Sequence, residues 1–154
     1  MTARFNSAAR SSVYRIREVD GSDDDIADTI HHFNRQTKEF PELTEEELDG
    51  GFWWLAYLGR EPVGFAGMVP SNQWRGVGYF KRAGVDPKHR GHGLQIRLMR
   101  VRINKARKVG YTHLISECTD TVYSANNFIK AGFRIYQPAN PWAFKNSIYW
   151  IKKL

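Results

Sequence analysis

The sequence predicts an α/β fold: one mixed, mostly antiparallel sheet with a central parallel pair and helices on both faces. Three observations lead there. Short apolar runs with the period of a strand recur along the chain, separated by stretches with helical period or cap signals. Three antiparallel-capable strands follow one another without an intervening helix, the first two joined by the short turn Gly59-Arg60-Glu61. After them comes a strand–helix–strand unit, whose crossover helix makes its two strands parallel. A chain of 154 residues, 42 % hydrophobic and 14 % aromatic, suits one domain able to bury ~70 % of its unfolded surface.

The elements follow in order. Val13, Ile16 and Val19 alternate roughly with polar neighbours, which suggests a first strand. Ser22 or Asp23 can cap a helix from Asp24, whose early acids suit the positive end of the dipole. Ile26, Ile30 and Phe33 give that helix an apolar stripe. Pro41 interrupts, and Thr44 with Glu47 forms a capping box for a short helix ending at Gly50-Gly51. Phe52 to Leu58 and Pro62 to Val69 make a hairpin around Gly59-Arg60-Glu61, and Gly78 to Val85 a further strand. A long helix runs from Leu94 to about Val109 and ends at Gly110. Its apolar arc is Leu94, Leu98, Met99, Val101, Ile103, Ala106 and Val109, with Arg97, Arg100, Arg107 and Lys108 opposite. His113 to Thr119 is a strand, Ser124 to Ala131 a helix, and Phe133 to Tyr136 and Ser147 to Lys152 the last strands.

Composition narrows the function classes. No apolar run reaches the ~20 residues that span a bilayer. Residues Met1 to Ser12 carry Arg4 and Arg10 without an apolar segment, which predicts a flexible tail rather than a secretory signal, ahead of one domain over 13–154. The single cysteine, Cys118, rules out an internal disulfide and fits a reducing cytoplasm. The net charge of +7 is unevenly spread. Glu18 to Asp49 holds twelve of the 16 acidic residues and two basic ones, Arg35 and Lys38. Lys81 to Lys108 holds ten Lys/Arg and one acid, Asp86. One region should carry a negative field and another a positive one.

The informative stretch is Val85-Asp86-Pro87-Lys88-His89-Arg90-Gly91-His92-Gly93-Leu94. A strand ends, the chain turns through two glycines, and a helix starts. Glycine admits backbone conformations closed to other residues and a close approach by a ligand. The first helical amides then point outward with the positive dipole end behind them, a cradle for a diphosphate. Lys88, Arg90 and the basic helix add charge. A Walker A loop would need Gly-Lys-Ser/Thr where Gly93-Leu94-Gln95 stands, and a dinucleotide fingerprint would need a small residue at Ile96.

Two segments resemble the GNAT acetyltransferase superfamily. Ala83-Gly84-Val85-Asp86-Pro87-x-x-Arg90-Gly91-x-Gly93-Leu94 is similar to its motif A. Ser124-Ala125-Asn126-Asn127-Phe128-Ile129-Lys130-Ala131-Gly132-Phe133 is similar to the helix and Gly-Phe that follow. The resemblance implies a GNAT-like sheet and an N-acetyltransferase using acetyl-coenzyme A as co-substrate. It implies that the strands ending at Val85 and near Thr119 splay, with the pantetheine arm in the gap bonded by Ala83 and Val85. Amides from His89 through Leu94 would hold the diphosphate, with Gly84, Asn126 and Phe128 among the motif positions that contact the coenzyme. The family often has glutamine or arginine where Lys88 stands. It commonly has a thiolate-protonating tyrosine where Phe128 stands, and an asparagine where Thr121 stands.

The usual acid is therefore absent, and three residues are candidates for the chemistry. Glu117 lies in an otherwise apolar strand, where a carboxylate can serve as base. Tyr79 and Tyr123 can stand in as proton donors to the thiolate. Trp142 and Phe144, in a proline-bounded loop, are candidates to wall the acceptor pocket; His31-His32 lacks further metal ligands at suitable spacing. The partners implied are an amine-bearing acceptor, small molecule or protein, and a second copy in a homodimer, with no membrane. A sequence pI near 9.7 and the basic helix keep a second class open: a nucleic-acid-binding or coenzyme-sensing module on the same fold.

Overall fold

The computed structural model describes residues 13–37 and 40–154; the tail expected over residues 1–12 lies outside them. Seven strands form one sheet in the order β1-β2-β3-β4-β5-β7-β6. The strands are β1 (Tyr14–Val19), β2 (Phe52–Leu58), β3 (Glu61–Pro70), β4 (Val77–Val85), β5 (His113–Thr119), β6 (Arg134–Tyr136) and β7 (Ser147–Lys153). Only β4 and β5 are parallel; every other neighbouring pair is antiparallel. The helices are α1 (Asp24–Arg35), α2 (Glu45–Gly50), α3 (Leu94–Val109) and α4 (Val122–Lys130).

Alternation along the strands divides the core between two faces. Trp53, Leu55 and Phe65 meet Ile30 and Phe33 of α1 and Leu48 of α2. Trp54, Ala66, Met68, Phe80, Leu114 and Trp150 meet α3 through Leu94, Leu98 and Ile103, and α4 through Phe128. Because side chains change face at every residue, Trp53 and Trp54 enter opposite layers. Burying each such aromatic removes ~150–250 Å² from water, so these faces are what hold the sheet to its helices.

Local signals act largely as their chemistry dictates. Asp23, not Ser22, caps α1 by accepting from the Ile26 amide at 3.0 Å. Thr44 caps α2 by accepting from the Glu47 amide at 3.1 Å. The capping box stays half closed, because the Glu47 carboxylate turns to Lys81 Nζ at 3.4 Å. Helix α4 begins at Val122 rather than Ser124. Val109, assigned to the apolar arc of α3, is exposed, and Arg102 is buried in that arc instead, 2 % accessible. Its guanidinium donates to Leu98 O at 3.1 Å and to Gly67 O at 3.3 Å, and lies 3.8 Å from the Phe80 ring centroid. Gly67 sits where the β3–β4 register shifts, so a bulge carbonyl meets this buried cation. Burial lowers the Arg102 pKa to about 9, which leaves it charged at neutral pH.

Candidate active site

The sheet opens at its parallel pair. β4 and β5 share register only at Val77–His113, Gly78–Leu114 and Tyr79–Ile115, although the strands continue to Val85 and Thr119. Past Tyr79 they part, bridged by Ser116 Oγ, which donates to Phe80 O at 3.1 Å. A cleft of about 320 Å³ occupies the gap, with Phe80 to Ala83 along one side and Ser116 to Thr119 along the other. The outer edge of β4 remains paired with β3 as far as Gly64–Val85, so its inner edge is free to pair with an extended ligand as an added strand would.

At one end the gap runs into the glycine turn. Asp86 builds that turn, its carboxylate accepting from the Lys88 amide at 3.0 Å and its carbonyl from the His89 amide at 2.8 Å. Gly91 and Gly93 both take left-handed backbone, φ +84° and +72°. A Cβ on Gly91 would meet nothing within 4 Å, so the glycine is required there by φ rather than by crowding. Gly93 caps α3 without a side-chain acceptor. The first amides of α3 are therefore left to a ligand, with the helix dipole behind them. The space over them is a cleft of about 570 Å³ lined by Val85, His89, Arg90, Gly91, Gly93 and Leu94.

The other expected coenzyme contacts divide. Ala83 and Gly84 line this cleft. The imidazoles of His89 and His92 turn away to β1: His89 Nδ1 lies 2.9 Å from the Tyr14 hydroxyl, and the His92 ring centroid 5.1 Å from that of Tyr14. Lys88 is exposed and lines none of the three clefts around the opened pair. Asn126 is exposed on the outer side of α4, and its neighbour Asn127 is buried and lines the gap. Phe128 also lines the gap, stacked on Trp150 at 5.2 Å and edge-on to Phe133 at 5.1 Å.

At the other end lies a cleft of about 640 Å³ between the start of α2, the loop after β3 and the 137–146 loop. Glu46, Glu47, Gln73, Tyr79, Lys81 and Trp142 are among its walls. Glu117 stands between this cleft and the gap, held from both sides. The Tyr79 hydroxyl donates to its Oε1, and Trp142 Nε1 donates to its Oε2 at 2.8 Å. Register explains the first contact: Tyr79 pairs with Ile115, and Glu117 is two residues farther along the same face. The Tyr79 hydroxyl is held far above its ordinary pKa by burial first, then by the charge of Glu117 and their hydrogen bond. Tyr123 is exposed and lines the cleft over the glycine turn, so it does not join this cluster. The role of Trp142 as donor to Glu117 has no precursor in the sequence, since an irregular loop carries no periodicity. Buried Asn127 had a signal, the helical phase it shares with Ser124 and Ala131.

The site can therefore seat an extended ligand with an anionic end on the glycine turn, and bring a second molecule to a carboxylate at the far end. Comparison with known proteins identifies the family and the fold. The acetyltransferase (GNAT) family model matches residues 15–133. An acetyltransferase from Bacillus subtilis, solved in complex with CoA, superposes with a TM-score of 0.69 at 18 % identity, covering 92 % of this chain and 99 % of its own. A GNAT family acetyltransferase from Elizabethkingia anophelis with acetyl-CoA bound has a TM-score of 0.70 at 18 % identity, covering 92 % and 99 %. A GNAT family acetyltransferase from Staphylococcus aureus has a TM-score of 0.71 at 16 % identity, covering 91 % and 98 %. No curated protein sequence matches the chain. Among the described residues, no helix is long and apolar enough to cross a membrane, and no group of His, Cys, Asp and Glu could hold a metal ion.

Proposed function

The chain belongs to the acetyltransferase (GNAT) family, and from that premise we propose that it transfers acetyl from acetyl-coenzyme A directly to the nitrogen of an amine, with residues 13–154 acting as one N-acyltransferase domain. The observation that carries the reading is the continuity of the three clefts. Ala83, Gln95, Thr121 and Ser124 line both the turn cleft and the gap, and Lys81 lines both the gap and the acidic cleft. The diphosphate lies on the amides from His89 through Leu94, with Arg90 beside it. The pantetheine arm runs along Ala83 and Val85, past Asn127 and Phe128. The thioester then arrives near Glu117, opposite the mouth through which an acceptor enters.

Glu117 takes the proton of the acceptor ammonium, directly or through a water, and the freed amine attacks the thioester carbon. The C–S bond breaks, the amide forms, and the second nitrogen proton is released as the thiolate is protonated. Tyr79 alone is too weak an acid to protonate the thiolate of a thiol with pKa near 8.5. Because it is hydrogen-bonded to Glu117, it can hand its proton over as the carboxyl, now protonated, replaces it. The pair thus does the work that a tyrosine at Phe128 would do alone. The acceptor mouth carries Glu46 and Glu47, which supports a cationic acceptor: a polyamine-like molecule, an amino sugar or a basic protein terminus.

Steady-state kinetics of Glu117→Gln, with coenzyme A affinity measured in parallel, test this reading. We expect kcat to fall ~10²-fold or more with affinity unchanged, the loss typical of a missing general base. Full kcat in the variant would remove Glu117 from the mechanism.

A further inference from the structure

On the side of α3 turned away from the coenzyme cleft, cations converge. Arg100 and Arg107 lie seven residues apart on one stripe of α3, with Ile103 and Asn104 between them. Lys130 ends α4 beside them. Lys152 comes from β7, on the face that Trp150 occupies in the core, and passes beyond the end of that core. These residues, with Ala131, line a hollow of about 190 Å³. No carboxylate is among its walls, and among the described residues none of the four cations has an ion pair or side-chain hydrogen bond.

Their neighbours on the same helix are engaged. Arg97 donates to Tyr14 O at 2.9 Å, and Lys105 pairs with Glu18 at 3.1 Å. A helix C-terminus favours a nearby cation, which accounts for Lys130 or Arg107 singly. It does not account for four converging on one concavity from three elements, where like charges repel. We propose that this hollow is a phosphate-ester binding site, separate from the coenzyme cleft, whose four cations and the Asn104 amide hold phosphate oxygens. Guanidinium groups suit that task through paired donors, and lysines as point charges. The phosphate can belong to a polynucleotide backbone or to a free nucleotide or polyphosphate, since the recognised chemistry is the same.

The test uses the whole chain saturated with coenzyme A, so that the glycine turn is filled. Binding of a fluorescent single-stranded RNA oligomer is followed by anisotropy over a salt series, and binding of inorganic pyrophosphate by calorimetry. Both are repeated with Arg100→Gln, Arg107→Gln, Lys130→Gln and Lys152→Gln combined. If the source is a polynucleotide, RNA binds the wild type with a steep salt slope, and the slope shrinks by ~0.7 for each phosphate that the variant leaves unneutralised. If the source is a free phosphate ester, pyrophosphate binds and the combined variant weakens it about tenfold or more, while RNA shows no such difference. Either result supports the site. The coenzyme-induced thermal shift checks that the variant is folded, and these surface changes should leave it intact. Equal affinity of wild type and variant for both probes, or no binding of either, overturns the proposal. Binding of anionic vesicles that disappears in the variant, with neither probe bound, overturns it in favour of a membrane contact.

Discussion

Two hydrogen bonds from separate elements converge on Glu117, and each can be removed without emptying the space around it. Trp142→Phe keeps an aromatic wall and deletes the donor to Oε2. A hydrogen bond to a charged group is worth ~1.5–3 kcal/mol, so if the carboxylate must be held in place, kcat should fall about tenfold or more while coenzyme A binds as before. Unaltered kinetics would make Trp142 a wall only. Tyr79 gives a prediction about pH. A tyrosine in the unfolded chain ionises near 10, whereas burial and Glu117 keep Tyr79 protonated well beyond that in the fold. The sign follows from linkage: a raised folded pKa contributes stability that is fully present below pH ~10 and is lost as pH rises above it. Tyr136, raised to about 12, and Tyr111, raised by burial, act in the same direction. Melting temperature should therefore drop steeply above pH ~10, and less steeply in Tyr79→Phe. Equal slopes would show that Tyr79 is not the group responsible.

At the scale of elements, the glycine turn and the opened strand pair can be probed separately. Valine at Gly91 or Gly93 would be forced into left-handed backbone, at a cost of ~1–2 kcal/mol for a residue with a Cβ. Since a Cβ at Gly91 meets open space, the domain should still fold, slightly less stable, while the thermal shift with acetyl-coenzyme A disappears. A normal shift in both variants would move the diphosphate elsewhere. This element was largely legible in the sequence, because strand, two glycines and helix start are all local signals. The Tyr79–Glu117 contact was legible only in parts. Both residues stood out, but their meeting depends on the parallel register of strands 38 residues apart at those positions. Arg102 was missed for a different reason. Nothing in the helical period singles out a buried arginine, and the bulge at Gly67 supplies one of the two carbonyls that let it lie inside. The choice of Asn126 over Asn127 reflects one residue of helical phase, about 100° of rotation.

Across the whole molecule, charge is divided between the two faces of the sheet. Acidic α1 and α2 and the basic α3 pack on opposite faces of the sheet, so the folded chain keeps apart the fields that its sequence carries in separate segments. Glu46 and Glu47 line the cleft beside Tyr79 and Trp142, the one proposed to admit the acceptor. Changing Glu45, Glu46 and Glu47 together to glutamine should raise KM for a cationic acceptor and flatten its dependence on salt, with kcat little changed, because Glu45 and Glu46 are exposed charges that act mainly on encounter, while Glu47 is half-buried and paired with Lys81. An unchanged KM would make the acidic face ordinary solvated surface.

The most direct measurement follows both products at once: free thiol by a colorimetric reagent and acetylated amine by mass spectrometry, with acetyl-coenzyme A and a panel of cationic amines. The account predicts that thiol and amide appear in equal amounts with at least one amine, that the rate rises with pH as the acceptor ammonium loses its proton, and that Gly93→Val abolishes both products. Tight binding of acetyl-coenzyme A with neither thiol nor amide released, whatever the amine, would contradict it and leave a coenzyme sensor built on an acetyltransferase fold.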